Sequence, residues 1–226
     1  MSYSDILDVF NLRFYNSVES TGQYDLPKIK ANTNYQKIDH IASFNYYNTI
    51  NNKSDYYIHF YIDDYQFERI WRRAECYIKK LKKLKGIIAP DFSVYRNMPK
   101  AQQLFQVYKQ RLLTALMQDE GINVIPNLTW SDIESLDWIL EGFPQNSVIA
   151  LSTNGCLNKK AKYDFLECYK KAISIINPIQ IIIIGKVPDE LKDDARVIEI
   201  KSQIEYLHTL RKRSKNYGKK VYFCYR

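Results

Sequence analysis

What the sequence lacks already narrows its function. No apolar run approaches the roughly 18 to 20 residues that a membrane-spanning helix needs, the most apolar stretch being Ile179 to Gly185. The first fourteen residues are broken by Asp5, Asp8 and Arg13, so no secretory signal is expected there, and the expected compartment is the cytoplasm. Glycine is scarce, at seven in 226 residues, and none forms a Walker or dinucleotide-binding loop. The four cysteines, Cys76, Cys156, Cys168 and Cys224, never come as C-x-x-C, and His40, His59 and His208 lack metal-ligand spacing. A structural zinc site is therefore not expected, and four cysteines in such a chain read as reduced thiols.

What is present is positive charge in two blocks. Residues 66–85 carry eight basic side chains against Glu68 and Glu75, a local +6, and residues 211–226 carry seven with no acid, whereas the whole chain is only +8. The rest is thus net acidic. Such concentration is the footprint expected of a polyanion partner, with Arg69, Arg72, Arg73, Lys79, Lys82 and Lys83 as the candidate nucleic-acid contacts. Solvation of a helix face explains such a surface equally well.

The chain divides into an Asn-, Tyr- and Ser-rich extension over 1–40 expected to wrap the core, an α/β core domain over 41–210, and a basic tail over 211–226. Strands are predicted at Ile41–Asn45, Tyr57–Ile62, Ile87–Ala89, Ile122–Ile125, Ser147–Ser152, Ile179–Ile184 and Arg196–Ile200. Those starting near 57, 87, 122, 147 and 179 should be parallel, each followed by a helix, because their spacing is that of βα units. Phe67, Ile70, Trp71, Ala74, Ile78, Leu81 and Leu84 make one apolar helical stripe, stopped at Gly86. Pro99 opens a second, formed by Ala101, Leu104, Phe105, Tyr108, Leu112, Ala115 and Leu116. Ser131 and Glu134 form a capping box for a helix ending near Gly142. Further helices are predicted over 159–176 and 202–213. Repeated βα units with continuous apolar strands indicate a mainly parallel sheet, a partial or complete (β/α) barrel being favoured over an open doubly wound sheet.

Several stretches between Phe60 and Pro188 resemble an uncharacterised bacterial family, one of the domains of unknown function that recur in phages, prophages and plasmids. They are Ile62-Asp63-Asp64, Ala89-Pro90-Asp91-Phe92-Ser93 and Thr153-Asn154-Gly155-Cys156. The resemblance implies a mobile-element origin and a bacterial host cell. It brings no activity and no catalytic residue with it.

Parallel strands would gather Asp63, Asp64, Asp91, Asn127, Trp130, Thr153, Asn154, Cys156 and Lys186 at their carboxyl ends, where ligands bind in such folds. Asp63, Asp64 and Asp91 are the candidate catalytic acids, working as acid and base if burial separates their pKa values. They also offer oxygen ligands to a divalent metal, although no further close acid completes a nuclease pattern, so no cofactor is expected. The other six are candidate ligand contacts; Cys156 lacks an obvious histidine to activate it as a nucleophile. Three functions follow: engagement of nucleic acid or a nucleotide-like anion, hydrolysis by strand-end carboxylates, or binding and inhibition of a host protein.

Overall fold

The computed structural model describes residues 10–156 and 158–201. The chain first makes a small antiparallel pair, β1 (Ser20–Thr21) with β2 (Leu26–Pro27). Seven parallel strands follow: β3 (Ile41–Ser43), β4 (Tyr57–His59), β5 (Gly86–Ile88), β6 (Val124–Ile125), β7 (Val148–Ser152), β8 (Gln180–Ile184) and β9 (Val197–Ile200). They pair as β3-β4-β5-β6 and β7-β8-β9, and the bridge Asn127 to Ala150 joins the two runs. The strand order thus follows the chain without the reversal of a doubly wound sheet. Among the described residues β3 and β9 do not pair, so the barrel is not closed. The helices are α1 (Arg69–Arg72), α2 (Ala74–Leu81), α3 (Lys100–Asp119), α4 (Leu136–Ile139) and α5 (Lys159–Ile176).

Strict alternation along the strands sorts the side chains. Tyr57, Ile88, Ile125, Val148, Ala150, Ile182 and Ile184 form one inner cluster, against which Ile41 of the first strand and Ile200 of the last also pack. Contributions from both edges to one cluster require the sheet to curl. On the outer face, Ile58, Ile87 and Val124 pack against Ile70, Ala74, Ile78, Leu81, Leu112 and Leu113. Ile149, Leu151, Ile181 and Ile183 pack against Phe165, Tyr169, Ala172 and Ile176 of α5. Burial on both faces explains the run of isoleucines in β8, each stabilising the fold by about 1.5 to 3 kcal/mol. Gly86 starts β5 where a Cβ would lie 2.3 Å from the Tyr57 ring, so the close approach admits no side chain.

The helices depart from the sequence expectation in four places. The stripe from Phe67 to Leu84 is buried throughout, but its helix breaks at Arg73 (φ −137°), where the Asn11 amide donates to the Trp71 carbonyl at 2.8 Å. In α3 the amino-terminal half is turned from the expected face: Ala101 and Phe105 are exposed, while Gln103, Gln106 and Gln110 are buried. Each of these glutamines donates one hydrogen bond to a loop at the strand ends, to the Met98 carbonyl, to Asp64 and to the Asn127 carbonyl, although Gln110 Oε1 stays buried without a partner among the described residues. The expected capping box does not form. Ser131 Oγ donates to Gln103 Oε1 at 2.8 Å, and Asp132 accepts the Ser135 N–H instead, so only the short α4 follows. After β8 there is a 3-10 turn, Asp189–Leu191, rather than a helix. The expected 202–213 helix and the basic tail lie outside the described residues. No helix among those described is long and apolar enough to cross a membrane, and Cys76, Cys156 and Cys168 are free thiols.

Candidate functional site

The carboxyl ends of β4 to β7 frame a cavity of about 580 Å³, within the range of small-molecule sites. His59 and Tyr61 line it from the end of β4, Asp91 and Ser93 from β5, Leu128 and Trp130 from β6, and Leu151, Asn154 and Cys156 from β7. The Trp130 and Phe165 rings meet at 5.4 Å and give one wall its aromatic character.

Asp91 is the distinctive group. Its Oδ1 accepts from Asn127 Nδ2 at 2.7 Å, and Asn127 Oδ1 in turn accepts from the Tyr61 hydroxyl at 2.8 Å. Asn127 is buried, and Gln110 of α3 donates to its carbonyl at 2.9 Å. The relay thus fixes the orientation of the Asp91 carboxyl and leaves Oδ2 without another hydrogen-bond partner among the described residues. Burial pushes the Asp91 pKa up to about 7; the Asn127 hydrogen bond opposes this and the Asp64 charge adds to it. Near neutral pH the group is therefore poised between acid and carboxylate, and a proton, when present, sits on Oδ2.

Its neighbours are electrically quiet. Burial holds the His59 imidazole down to about 4, and Nδ1 accepts the Tyr61 N–H at 3.2 Å, so neutral His59 carries its proton on Nε2. Burial and the Asp91 charge both raise the Cys156 thiol, which is the opposite of an activated nucleophile.

The remaining expected site residues separate into two groups. Asp63 lies exposed at the pocket edge, where it accepts from Gln66 Nε2 at 3.3 Å, and Trp130, Asn154 and Cys156 line the cavity. Asp64 is instead committed to structure: its carboxylate accepts from the Ser93 hydroxyl at 2.8 Å, from the Ser93 N–H and from Gln106 at 3.0 Å. Thr153 is buried beneath the rim and donates to the Lys186 carbonyl at 3.0 Å, while the Lys186 side chain is exposed and does not line the cavity. Among the described residues, no group of three His, Cys, Asp or Glu side chains is arranged to hold a metal ion. Of the expected nucleic-acid contacts, Arg72, Arg73, Lys79 and Lys83 are exposed. Arg69 lies over the Phe44 ring at 4.9 Å, and Lys82 pairs with Glu120 at 2.6 Å.

Sequence reasoning missed His59 and Tyr61. Both flank the end of a strand already placed, so the rule that selected Asp63 reaches them; their ring character argued for core and concealed it. Tyr46, Tyr95 and Phe165, which also line the cavity, come from the 3-10 helix Phe44–Thr49, a loop and α5 and carried no such signal.

Residues 18–202 match the model of the family described as "Domain of unknown function (DUF4417)". The chain belongs to this DUF4417 family. The matched span holds all seven parallel strands and every residue lining the pocket, whereas the basic 211–226 block lies beyond it. The chain is 33% identical over 162 residues to the "Gene 1 protein" of Mycobacterium phage L5, an alignment covering 71% of this chain and 69% of that protein. It is 26% identical over 211 residues to the "Gene 1 protein" of Mycobacterium phage D29, covering 91% and 75% respectively. No solved structure matches the chain at a significant level.

Proposed function

We propose that the strand-end pocket binds a small molecule and that Asp91 is the group that gives or takes a proton there, as in a small hydrolase. One observation carries the reading: a carboxyl with a pKa of about 7, oriented through Asn127 by Tyr61 and Gln110, lines a cavity of ligand size. A general acid or base works best when its pKa lies near the working pH, and a fixed carboxyl with one free oxygen delivers its proton in one direction. Asp63 is the second carboxyl within the same cavity. The test is carbon-13 NMR of the Asp91 carboxyl, assigned with Asp91→Asn, alongside a fragment screen read by Trp130 fluorescence with Trp130→Phe as control. The expected midpoint is near 7, shifted by fragments that quench Trp130. A midpoint near 4, with hits that leave Asp91 untouched, would discard the reading.

A second reading places nucleic acid elsewhere. Arg72, Arg73, Lys79 and Lys83 project from α1, α2 and their flanks with no ion-pair partner among the described residues, which supports electrostatic contact with phosphates on that outer surface. The pocket is unsuited to the same partner, since among the described residues its lining includes Asp63 and Asp91 but no Lys or Arg. Likeness to mycobacteriophage proteins supports a mobile-element origin and action in the cytoplasm of a bacterial host. A host-protein partner is the competing occupant of the basic surface; binding that persists at high salt would favour it over nucleic acid.

A further inference from the structure

The charge of the pocket selects its ligand more sharply than its shape does. Among the described residues, Asp63 and Asp91 are the charged side chains that line it, and no lysine or arginine stands with them. A phosphate or carboxylate would meet Asp91 with no counter-charge, which desolvation makes costly. A neutral ring would leave Oδ2 of an ionised Asp91 without a partner of opposite charge. A cation supplies that partner, and the aromatic rings of Tyr61, Trp130 and Phe165 line the same cavity, a surrounding that favours positive charge.

We infer that the DUF4417 pocket takes an organic cation, an amidinium, guanidinium or ammonium group on a small apolar body, with its charge against Asp91 Oδ2 and its body against the Trp130–Phe165 wall. This rests on the small-molecule reading of the same site. The titratable groups around Asp91 are His59, Tyr61 of the relay, Asp63 and Asp64 from the β4 side and Cys156 after β7. His59 stays neutral through the range from pH 6 to 8, Tyr61 and Cys156 are held protonated, and Asp64 is occupied by Ser93 and Gln106. Among the groups here that burial shifts, Asp91 is the one whose midpoint falls inside that range.

Benzamidinium, benzamide and benzoate share a ring and differ in charge, so they isolate the electrostatic term. Titrated against the full chain at pH 8 by Trp130 fluorescence, benzamidinium is expected to bind at least tenfold more tightly than benzamide, and benzoate not measurably. Between pH 8 and pH 6 the ionised fraction of Asp91 falls from about nine-tenths to about one-tenth, so benzamidinium affinity should fall roughly tenfold while benzamide affinity stays flat. Asp91→Asn should remove the pH dependence and most of the preference, Asp63 supplying what remains, yet still bind benzamide, which shows that the variant is folded. Agmatine against N-acetyl-arginine amide then distinguishes a free metabolite from an arginine side chain as the source of the cation. Benzamide binding as well as benzamidinium, or benzoate binding best, would overturn the inference and leave the small-molecule reading standing. Silence from all three at roughly 10 mM, the weak limit for fragments of this size, would overturn it too. The Asp91 titration by NMR judges the acid–base reading separately.

Discussion

At the amino-terminal ends of the strands polar groups meet and satisfy one another, whereas at the carboxyl-terminal ends a carboxyl is held ready but left half unpartnered. Gln36 closes the first end. Its backbone N–H and carbonyl pair with the Gln180 side chain at 2.8 and 3.0 Å, and its Oε1 accepts from the Tyr57 hydroxyl at 2.7 Å and Asn123 at 2.9 Å. Asn32 extends the seal, its carbonyl accepting the Val148 N–H at 2.7 Å and its N–H donating to Ser147 Oγ at 2.9 Å. With the Asn32 amide donating also to the Val124 carbonyl at 3.1 Å, four parallel strands, β4, β6, β7 and β8, are so tied to one crossing segment. The opposite end carries neutral His59 and the raised Asp91, groups that burial works against. In (β/α) architectures the two ends divide stability from function in this sense, and the difference here lies in whether buried polar groups are paired.

Breaking the sealed end should give the largest effect. Gln36→Ala removes the acceptor of the buried Tyr57 hydroxyl and of the half-buried Asn123 amide, which should cost about 2 to 4 kcal/mol. Denaturant melts check this, and the NMR midpoint of Asp91 in the folded variant should not move. A shifted midpoint would show that the two ends are coupled rather than divided.

Asp91→Asn should act in the opposite direction. The native carboxyl titrates near 7 and the unfolded one near 4, so between these values the folded state binds more protons, and wild-type stability falls as pH rises from about 4 to 7 and is level above. The full shift corresponds to about 4 kcal/mol, and water in the open cavity reduces the realised effect to roughly half. The Asn variant, whose oxygen still accepts from Asn127, lacks this penalty. It should match wild type near pH 4 and exceed it by about 2 kcal/mol at pH 8. Equal stabilities at both pH values would remove the strain assigned to the site.

How much of this was legible in the sequence depends on how local the signal is. β-branched runs such as Ile179 to Ile184 and the spacing of βα units are local, and every described strand of the parallel sheet falls where periodicity put it. The inner face of α3 was not legible, because Gln103, Gln106 and Gln110 look like solvent residues until the loops they hold are in place. The site follows the same division. That Asp63, Asp91, Trp130, Asn154 and Cys156 leave adjacent strand ends is a topological inference that spacing supports. That Asp64 is spent on Ser93 and Gln106, while its neighbour Asp63 lines the pocket, depends on which way each side chain leaves the turn at residues 64–66. No pattern in Ile62-Asp63-Asp64 records that choice.

A strained glycine joins the rim to β8 and gives a smaller, sharper probe. Gly185 has φ +112°, and a Cβ there would approach Thr153 Oγ1 to 2.6 Å, disturbing the hydroxyl that holds the Lys186 carbonyl. Gly185→Ala should cost about 1 to 3 kcal/mol from the backbone conformation alone, with the disturbance centred on Thr153 and Asn154. Fragment quenching of Trp130 should weaken while the Gln36 seal stays intact by amide exchange at Gln36 and Val148.

The smallest effect belongs to the outer surface, which serves neither end. Lys79→Gln, Lys83→Gln and Arg72→Gln together should change stability by under about 0.5 kcal/mol per site, as exposed substitutions usually do. Both the Asp91 midpoint and benzamidinium binding should be unchanged. If these side chains meet phosphates, each phosphate left without its cation should flatten the salt dependence of duplex-DNA affinity by about 0.9, giving up to roughly 2 to 3 for the triple variant. Lys82→Gln serves as the contrast, since Lys82 is already paired with Glu120 at 2.6 Å and has less positive charge to offer. Lysine predominates over arginine on α2, which favours point-charge contact with the backbone over bidentate reading of bases, so the effect should be the same on unrelated DNA sequences. A slope that the triple variant leaves unchanged would assign the basic face to solvation, and the pocket alone would then carry the function.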